Sequence, residues 1–204
     1  MKFLIAAGGT GGHITPGIAI ANKLKELGNE VIFLGTSTGM ETDLVPKAGY
    51  DLKIIRAKGL IRGFSLKNIE IIKCLFDGIS DVKKIIEKEK PDMIIGTGGY
   101  VTAPAIIAAL QKKIPCMIHE SNALPGKTTM WLSKKVDVIA LGFEDAKKRL
   151  PKAKNAVYTG NPTKMSGNVD KQKIKEQLAL NKPLVLVFGG SQGAKKINET
   201  MIDL

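Results

Sequence analysis

Three short runs hold the residues best suited to chemistry. They are Gly8-Gly9-Thr10-Gly11-Gly12-His13, Gly96-Thr97-Gly98-Gly99 and His119-Glu120-Ser121-Asn122. Each follows an apolar stretch, and the first precedes a helical pattern that is expected to open at Pro16. A strand, a glycine turn and a helix N-terminus in that order form an anion cradle. Glycine lets the backbone bend and lets a ligand approach closely, while unpaired first-turn N–H groups point at a negative charge. The chain has two histidines, His13 and His119, and both fall in these runs. A phosphorylated ligand is therefore the first expectation.

The elements that must position these runs alternate regularly. Strands are expected over 1–7, 30–34, 52–55, 93–95, 115–118, 136–140 and 156–159, with helices over 16–27, 40–47, 103–111, 127–133 and 143–150. Repeated β-loop-α units with wholly apolar strands predict a parallel sheet covered by helices on both faces. In such sheets ligands bind beyond the carboxyl ends of the strands, near the switch in strand order. All three runs should then share one rim. Within 57–90, Leu66, Ile69, Ile72, Phe76, Ile79 and Val82 recur at helical spacing and read as core, with Ile71 and Leu75 widening the arc.

The character changes after Pro162. Residues 164–170 are polar and suit a linker, and 171–180 suits a charged surface helix. Leu184–Phe188 then reads as an apolar strand, followed by Gly189-Gly190-Ser191-Gln192-Gly193-Ala194 and a helix start. This repeats the opening design. The expectation is one Rossmann-like α/β domain over 1–163 and the incomplete start of a similar domain over 164–204.

Composition narrows the partners. The formal net charge is +12, from 31 Lys and Arg against 19 Asp and Glu, which favours anionic ligands or an acidic membrane surface. Aromatic residues are 5% and no nucleic-acid-binding motif occurs, so nucleic acid is disfavoured. Cys74 and Cys116 belong to no paired motif and read as buried thiols of a reducing compartment, and no metal-ligand spacing is present. No apolar run approaches the roughly 20 residues that span a bilayer.

The loops also lack the marks of common cofactor sites. Ile14 stands at the third glycine position of the dinucleotide fingerprint, and Gly35 stands where a ribose-binding carboxylate would end the second strand. A P-loop needs Gly-Lys-Ser/Thr after a glycine and four intervening residues, and that pattern does not occur. No cofactor is expected. Gly189-x-Ser191-x-Gly193 fits the nucleophile-elbow pattern of serine hydrolases, but no histidine follows it.

Taken in order, Gly8–His13, Gly98-Gly99-Tyr100-Val101, His119–Asn122, Gly160-Asn161-Pro162 and Gly189–Ala194 resemble the MurG family of bacterial cell-wall glycosyltransferases. Met40-Glu41-x-Asp43-Leu44-Val45-Pro46 is similar to that family's short second helix. The resemblance runs along the whole chain. It implies a two-domain GT-B enzyme that moves N-acetylglucosamine from UDP-N-acetylglucosamine to lipid I, forming lipid II. This chain would supply the acceptor domain and the opening of the donor domain, with little or no transfer on its own.

Inverting glycosyl transfer needs a base for the attacking hydroxyl and stabilisation of the departing diphosphate. His13 is the candidate base, with Glu120 as the alternative base or an orienting group. The resemblance places Thr10, Gly11, Gly12, Asn122, Lys164 and Ser191 against the UDP-sugar. It places Gly98, Gly99 and Tyr100 against the acceptor diphosphate. Lys164 stands where the family often has Arg, which keeps the charge and loses the bidentate fork. No metal site is expected. The lipid acceptor implies peripheral attachment to the cytoplasmic face of the cell membrane, through Leu60, Ile61 and Phe64 among Lys58, Arg62 and Lys67. Two rival readings share the fold: a non-catalytic binder of a lipid-linked diphosphate, and a GT-B transferase with another acceptor.

Overall fold

The computed structural model describes residues 1–59, 67–163, 170–179, 182–189 and 194–202, with the side chains of 67–69 excepted. It divides into two units, Met1–Thr163 and Lys164–Leu204. The first unit is built on seven strands: β1 (Lys2–Ala6), β2 (Glu30–Gly35), β3 (Asp51–Ile54), β4 (Met93–Gly96), β5 (Cys116–Glu120), β6 (Val138–Leu141) and β7 (Ala156–Tyr158). All six pairings are parallel, in the order β3-β2-β1-β4-β5-β6-β7.

Strand periodicity explains the two-sided core. On β1, Leu4 and Ala6 join one cluster with Ile94, Ile118 and Ile139, while Phe3, Ile5 and Ala7 join another with Phe33 and Ile95. Side chains at alternate positions face opposite sides, so each face needs its own helical cover. On one face α1 (Gly11–Glu26) brings Ile14, Ile18 and Ala21, and α2 (Glu41–Lys47) brings Val45. On the other, α3 (Lys67–Glu89) brings Ile79, Val82 and Ile86, α4 (Thr102–Gln111) brings Ala105 and Ile106, and α5 (Lys127–Leu132) brings Leu132. The short helix expected over 143–150 is a 3₁₀ turn, Glu144–Arg149.

The strand order reverses direction between β1 and β4. That is the switch point, and the first two glycine loops leave these two adjacent strands there. The third run differs from expectation. His119 and Glu120 are the last residues of β5 itself, paired with Ala140 and Leu141. Their backbones are therefore held by the sheet.

Two further expectations are corrected. Helix α1 opens at Gly11 and not at Pro16, which lies inside it. Thr10 is extended at the N-cap, and its carbonyl already accepts the His13 and Ile14 N–H groups at 3.0 and 3.1 Å. Pro16 removes the donor to the Gly12 carbonyl one turn back, a vacancy that the helix tolerates near its start. On α3, Ile72 and Phe76 are exposed, whereas Ile79, Val82 and Ile86 join the core and Ile71 is buried at the cavity wall. The helix carries apolar residues over a wide arc, and one edge of that arc is left exposed. Leu66 and Ile69 lie outside the described side chains. Cys116 is buried, and that burial pushes its thiol up to about 11, whereas Cys74 is only half-buried.

In the second unit, α6 (Lys171–Gln177) is capped by the Asp170 carboxylate, which accepts from the Gln172 and Lys173 N–H groups at 3.0 and 3.3 Å. Helix α7 spans Lys195–Ile202. The expected strand Leu184–Phe188 forms no ladder among the described residues, and all five of its side chains are exposed. A strand needs a paired neighbour to exist, and no described segment lies along it.

Candidate functional site

A cavity of about 470 Å³ opens over the carboxyl ends of β1, β4 and β5. His13, Gly98, Gly99, Tyr100, Glu120 and Asn122 all line it, so six expected site residues come together. Its remaining wall is largely apolar, with Ile71, Ile72 and Leu75 of α3, Ala103 and Pro104 of α4, and Trp131 of α5. A polar floor beside an apolar wall suits a ligand that is charged at one end and greasy at the other.

The glycines are required by conformation and by contact. Gly9, Gly98 and Gly99 have φ of +90°, +113° and +75°, which L-residues with side chains rarely adopt. A methyl on Gly98 would meet the His13 ring, and one on Gly99 would meet the Gly8 carbonyl. The two loops thus interlock, with the His13 imidazole seated on the second. Gly98 cannot also serve as an anion donor, because its N–H donates to Thr102 Oγ1 at 3.0 Å. The N–H groups of Gly11, Gly12 and Gly99 have no partner among the described residues, and they are the donors left for an anion. Thr10, Gly11 and Gly12 sit at the opening of α1, where the helix dipole reinforces that preference.

His13 is hydrogen-bonded at its backbone, and its ring only packs against Gly98. Thr97 Oγ1 donates to the His13 carbonyl at 2.8 Å. The ring Nδ1 is buried and has no hydrogen-bond partner among the described residues. Burial pushes the imidazole below its ordinary value of 6.5, against the charge of Glu120 and the Thr97 backbone, which favour the proton. A neutral imidazole at the edge of an anion cradle is in the form a general base requires.

Glu120 is arranged differently. Its Oε1 accepts from the Asn122 N–H and side-chain amide at 3.1 and 2.9 Å. Its Oε2 accepts from the Gly126 N–H and Thr129 Oγ1 at 2.9 and 2.6 Å. Four donors occupy the four lone-pair positions of a carboxylate. This geometry makes Glu120 the organiser of the loop that carries Asn122, and leaves no free lone pair to collect a substrate proton. Asn161 ties the same loop to the end of β7 by donating to the Ser121 carbonyl at 3.2 Å. His119 is 2% exposed, with its Nε2 unpartnered and Ser121 Oγ 3.4 Å from Nδ1. Burial lowers its pKa too, opposed by the Gly160 backbone and Glu120. Lys164 and Ser191 lie outside the described residues.

Sequence reasoning missed the buried polar shell beneath these loops. Thr36, Glu41, Thr97, Thr102 and Thr129 are buried and hydrogen-bonded to the loops or to their carboxylate. Their signal is weak because each partner is distant in sequence or resembles an ordinary turn or helix-start residue.

The N-terminal domain profile of glycosyltransferase family 28 matches residues 3–141. The chain belongs to that family. Two curated relatives, from Acetivibrio thermocellus and Caldanaerobacter subterraneus subsp. tengcongensis, are 43% and 44% identical over 209 aligned residues. Each alignment covers 100% of this chain and 57% of the relative. Both are described as UDP-N-acetylglucosamine–N-acetylmuramyl-(pentapeptide) pyrophosphoryl-undecaprenol N-acetylglucosamine transferases. A crystal structure of Acinetobacter baumannii MurG is 31% identical and superposes with a TM-score of 0.72, covering 97% of this chain and 55% of that one. The chain thus spans a little over half the length of the curated relatives it matches. The expected MurG-like, Rossmann-like GT-B architecture accords with these matches.

Proposed function

We propose that this chain forms the acceptor-binding part of an inverting N-acetylglucosaminyltransferase. The donor would be UDP-N-acetylglucosamine, the acceptor lipid I and the product lipid II. One juxtaposition carries the reading. A neutral, half-buried His13 stands beside the unpaired Gly99 N–H in a cavity whose other wall is apolar, and the unpaired Gly11 and Gly12 N–H groups immediately precede it at the opening of α1. The N–H groups suit a diphosphate, the apolar wall suits the start of a prenyl chain, and His13 suits the attacking sugar hydroxyl. The names of the relatives support the choice of sugars. The test is isothermal titration of the chain with a soluble short-chain lipid I analogue. Saturable binding that is lost when the diphosphate is replaced by a neutral linker is expected. Equal affinity for the neutral analogue would overturn the reading.

The same reading includes a membrane surface. Ile72 and Phe76 of α3 are 53% and 67% exposed, and Trp131 of α5 is 54% exposed. Ile72 and Trp131 also line the cavity. Lys73, Lys127, Lys134 and Lys135 are exposed on the same two helices or just beyond them, with Lys135 Nζ 5.8 Å from the Trp131 ring centroid. Apolar side chains rimmed by lysines suit shallow contact with anionic lipid headgroups. The residues first expected in this role, Leu60, Ile61 and Phe64, lie outside the described residues. No described helix is long and apolar enough to cross a membrane. Replacing Ile72 and Phe76 together by serine is expected to weaken binding to vesicles containing anionic lipid by about tenfold or more, without changing the melting temperature. Each side chain contributes about 1.5–3 kcal/mol when fully buried, and a shallow insertion recovers only part of that. Unchanged sedimentation with vesicles would refute the assignment.

A further inference from the structure

We infer that Glu41 is a positioning residue, whose buried carboxylate fixes the first glycine loop and Tyr100 in the geometry that receives the acceptor diphosphate. The inference rests on the functional reading above. Glu41 is the first residue of α2, and its side chain is 0% exposed. Its Oε2 accepts the Gly9 N–H at 3.0 Å. Its Oε1 accepts the Thr36 N–H at 2.9 Å and the Thr36 hydroxyl at 2.8 Å. Burial alone would raise this carboxyl, but the hydrogen bonds from Thr36 and Gly9 outweigh it and hold the group below its ordinary value. It is therefore an ionised acceptor, engaged by three donors.

The socket for this carboxylate is made of glycine. A Cβ on Gly8 would lie 2.8 Å from Oε1, and one on Gly35 2.6 Å from Cγ. A Cβ on Gly39 would collide with the carboxylate itself. Three glycines, one in the first loop, one at the end of β2 and one in the turn before α2, leave room for one Glu. Such convergence is unnecessary for a surface helix-start carboxylate, which water would solvate freely.

What the carboxylate holds is the site. Engaging the Gly9 N–H turns that donor away from the ligand side and sets the Gly8–Gly9 peptide. The Gly8 carbonyl then packs on Gly99, and the Tyr100 ring lies over Gly9, 3.0 Å from where a Cβ would stand. The Tyr100 hydroxyl is 3.5 Å from Thr36 Oγ1, which has already given its proton to Glu41. One carboxylate thereby sets the first loop, its seat against the second loop, and the aromatic ring that lines the cavity. The unpaired Gly11 and Gly12 N–H groups follow directly along the chain.

Glu41→Gln tests this, because the amide keeps the shape and, with its one oxygen toward the two Thr36 donors, sets its N–H₂ against the Gly9 N–H. In the ¹H–¹⁵N spectrum of the free variant the Gly9 amide should move upfield, out of its carboxylate bond. Titration with the short-chain lipid I analogue should show affinity reduced at least tenfold at temperatures where the variant is still folded, its melting temperature falling only as one unpaired buried donor requires. Thr36→Ser should behave as the wild type, because it keeps the hydroxyl, and Thr36→Val should fall between. An unmoved Gly9 amide, or wild-type affinity in a folded Glu41→Gln chain, would overturn the inference. If Glu41→Gln does not fold, Thr36→Val decides: wild-type affinity there overturns it as well. A wild-type chain that does not bind the analogue overturns the functional reading, and this inference with it, before any variant is compared.

Discussion

Replacing His13 by alanine, in a chain extended to the length of its relatives, is expected to lower kcat by about 10²–10⁴-fold, the range that removal of a general base produces. That loss is about 3–5 kcal/mol of barrier. Binding of the short-chain acceptor analogue should change only a few-fold, because in the proposed function the anion donors are the unpaired backbone N–H groups of Gly11, Gly12 and Gly99 and not the imidazole. The pH profile makes the assignment specific. Catalysis needs the neutral ring, so kcat/KM should fall on the acid side as His13 protonates. Burial holds that protonation below 6.5, so activity should persist to lower pH than a solvated histidine allows. Folding stability must be followed beside it. Both imidazoles are depressed in the folded chain, so the unfolded chain takes up protons first as pH falls. Their contribution is complete above about 6.5 and is lost progressively below it, and the acid limb must be read where the melting curve shows a folded chain. A His13→Ala enzyme that keeps wild-type kcat with an intact acid limb would remove His13 from the chemistry.

How much of this was legible in sequence depends on the range of the contacts. The glycine runs were legible because each interrupts an apolar strand, and a local turn is encoded locally. That they share a rim followed from the β-loop-α alternation, since parallel strands bring their carboxyl ends together. The start of α1 was misplaced because Pro usually marks the first helical turn, whereas here Thr10 opens the helix and Pro16 falls inside it. The role of Glu41 was hidden for a different reason. Its partner Gly9 is 32 residues away, and an acidic residue at a helix start reads as a dipole complement until the fold buries it. On α3 the apolar arc is wider than a core-facing stripe needs. Periodicity could locate the helix but not which edge of the arc, Ile71 or Ile72, is buried. Leu184–Phe188 has the composition of a strand, yet composition supplies no ladder partner, and among the described residues it has none.

Glu120→Gln is expected to separate the two candidates for the base. The carboxylate accepts four hydrogen bonds, from Asn122 twice, Gly126 and Thr129. An amide can present only one oxygen, so donors on the other side face an N–H₂ group. Leaving a buried donor unpaired costs about 1–3 kcal/mol, and the melting temperature should fall accordingly. Transfer should fall as well, by about tenfold or more, because Asn122 loses its fixed position over the cavity. The decisive quantity is the acid limb of kcat/KM. The Glu120 charge favours the proton on His13, so removing it lets burial push the imidazole lower still. In Glu120→Gln the limb should therefore survive and move to lower pH. A base at Glu120 predicts the opposite: the limb vanishes in Glu120→Gln and persists in His13→Ala. The double variant adds a second discriminator. If Glu120 acts only through His13 and the loop, its effect on the chemical step should shrink in the His13→Ala background, while its effect on stability should remain. If Glu120 were itself the base, the loss from Glu120→Gln would be as large with His13 absent as with it present.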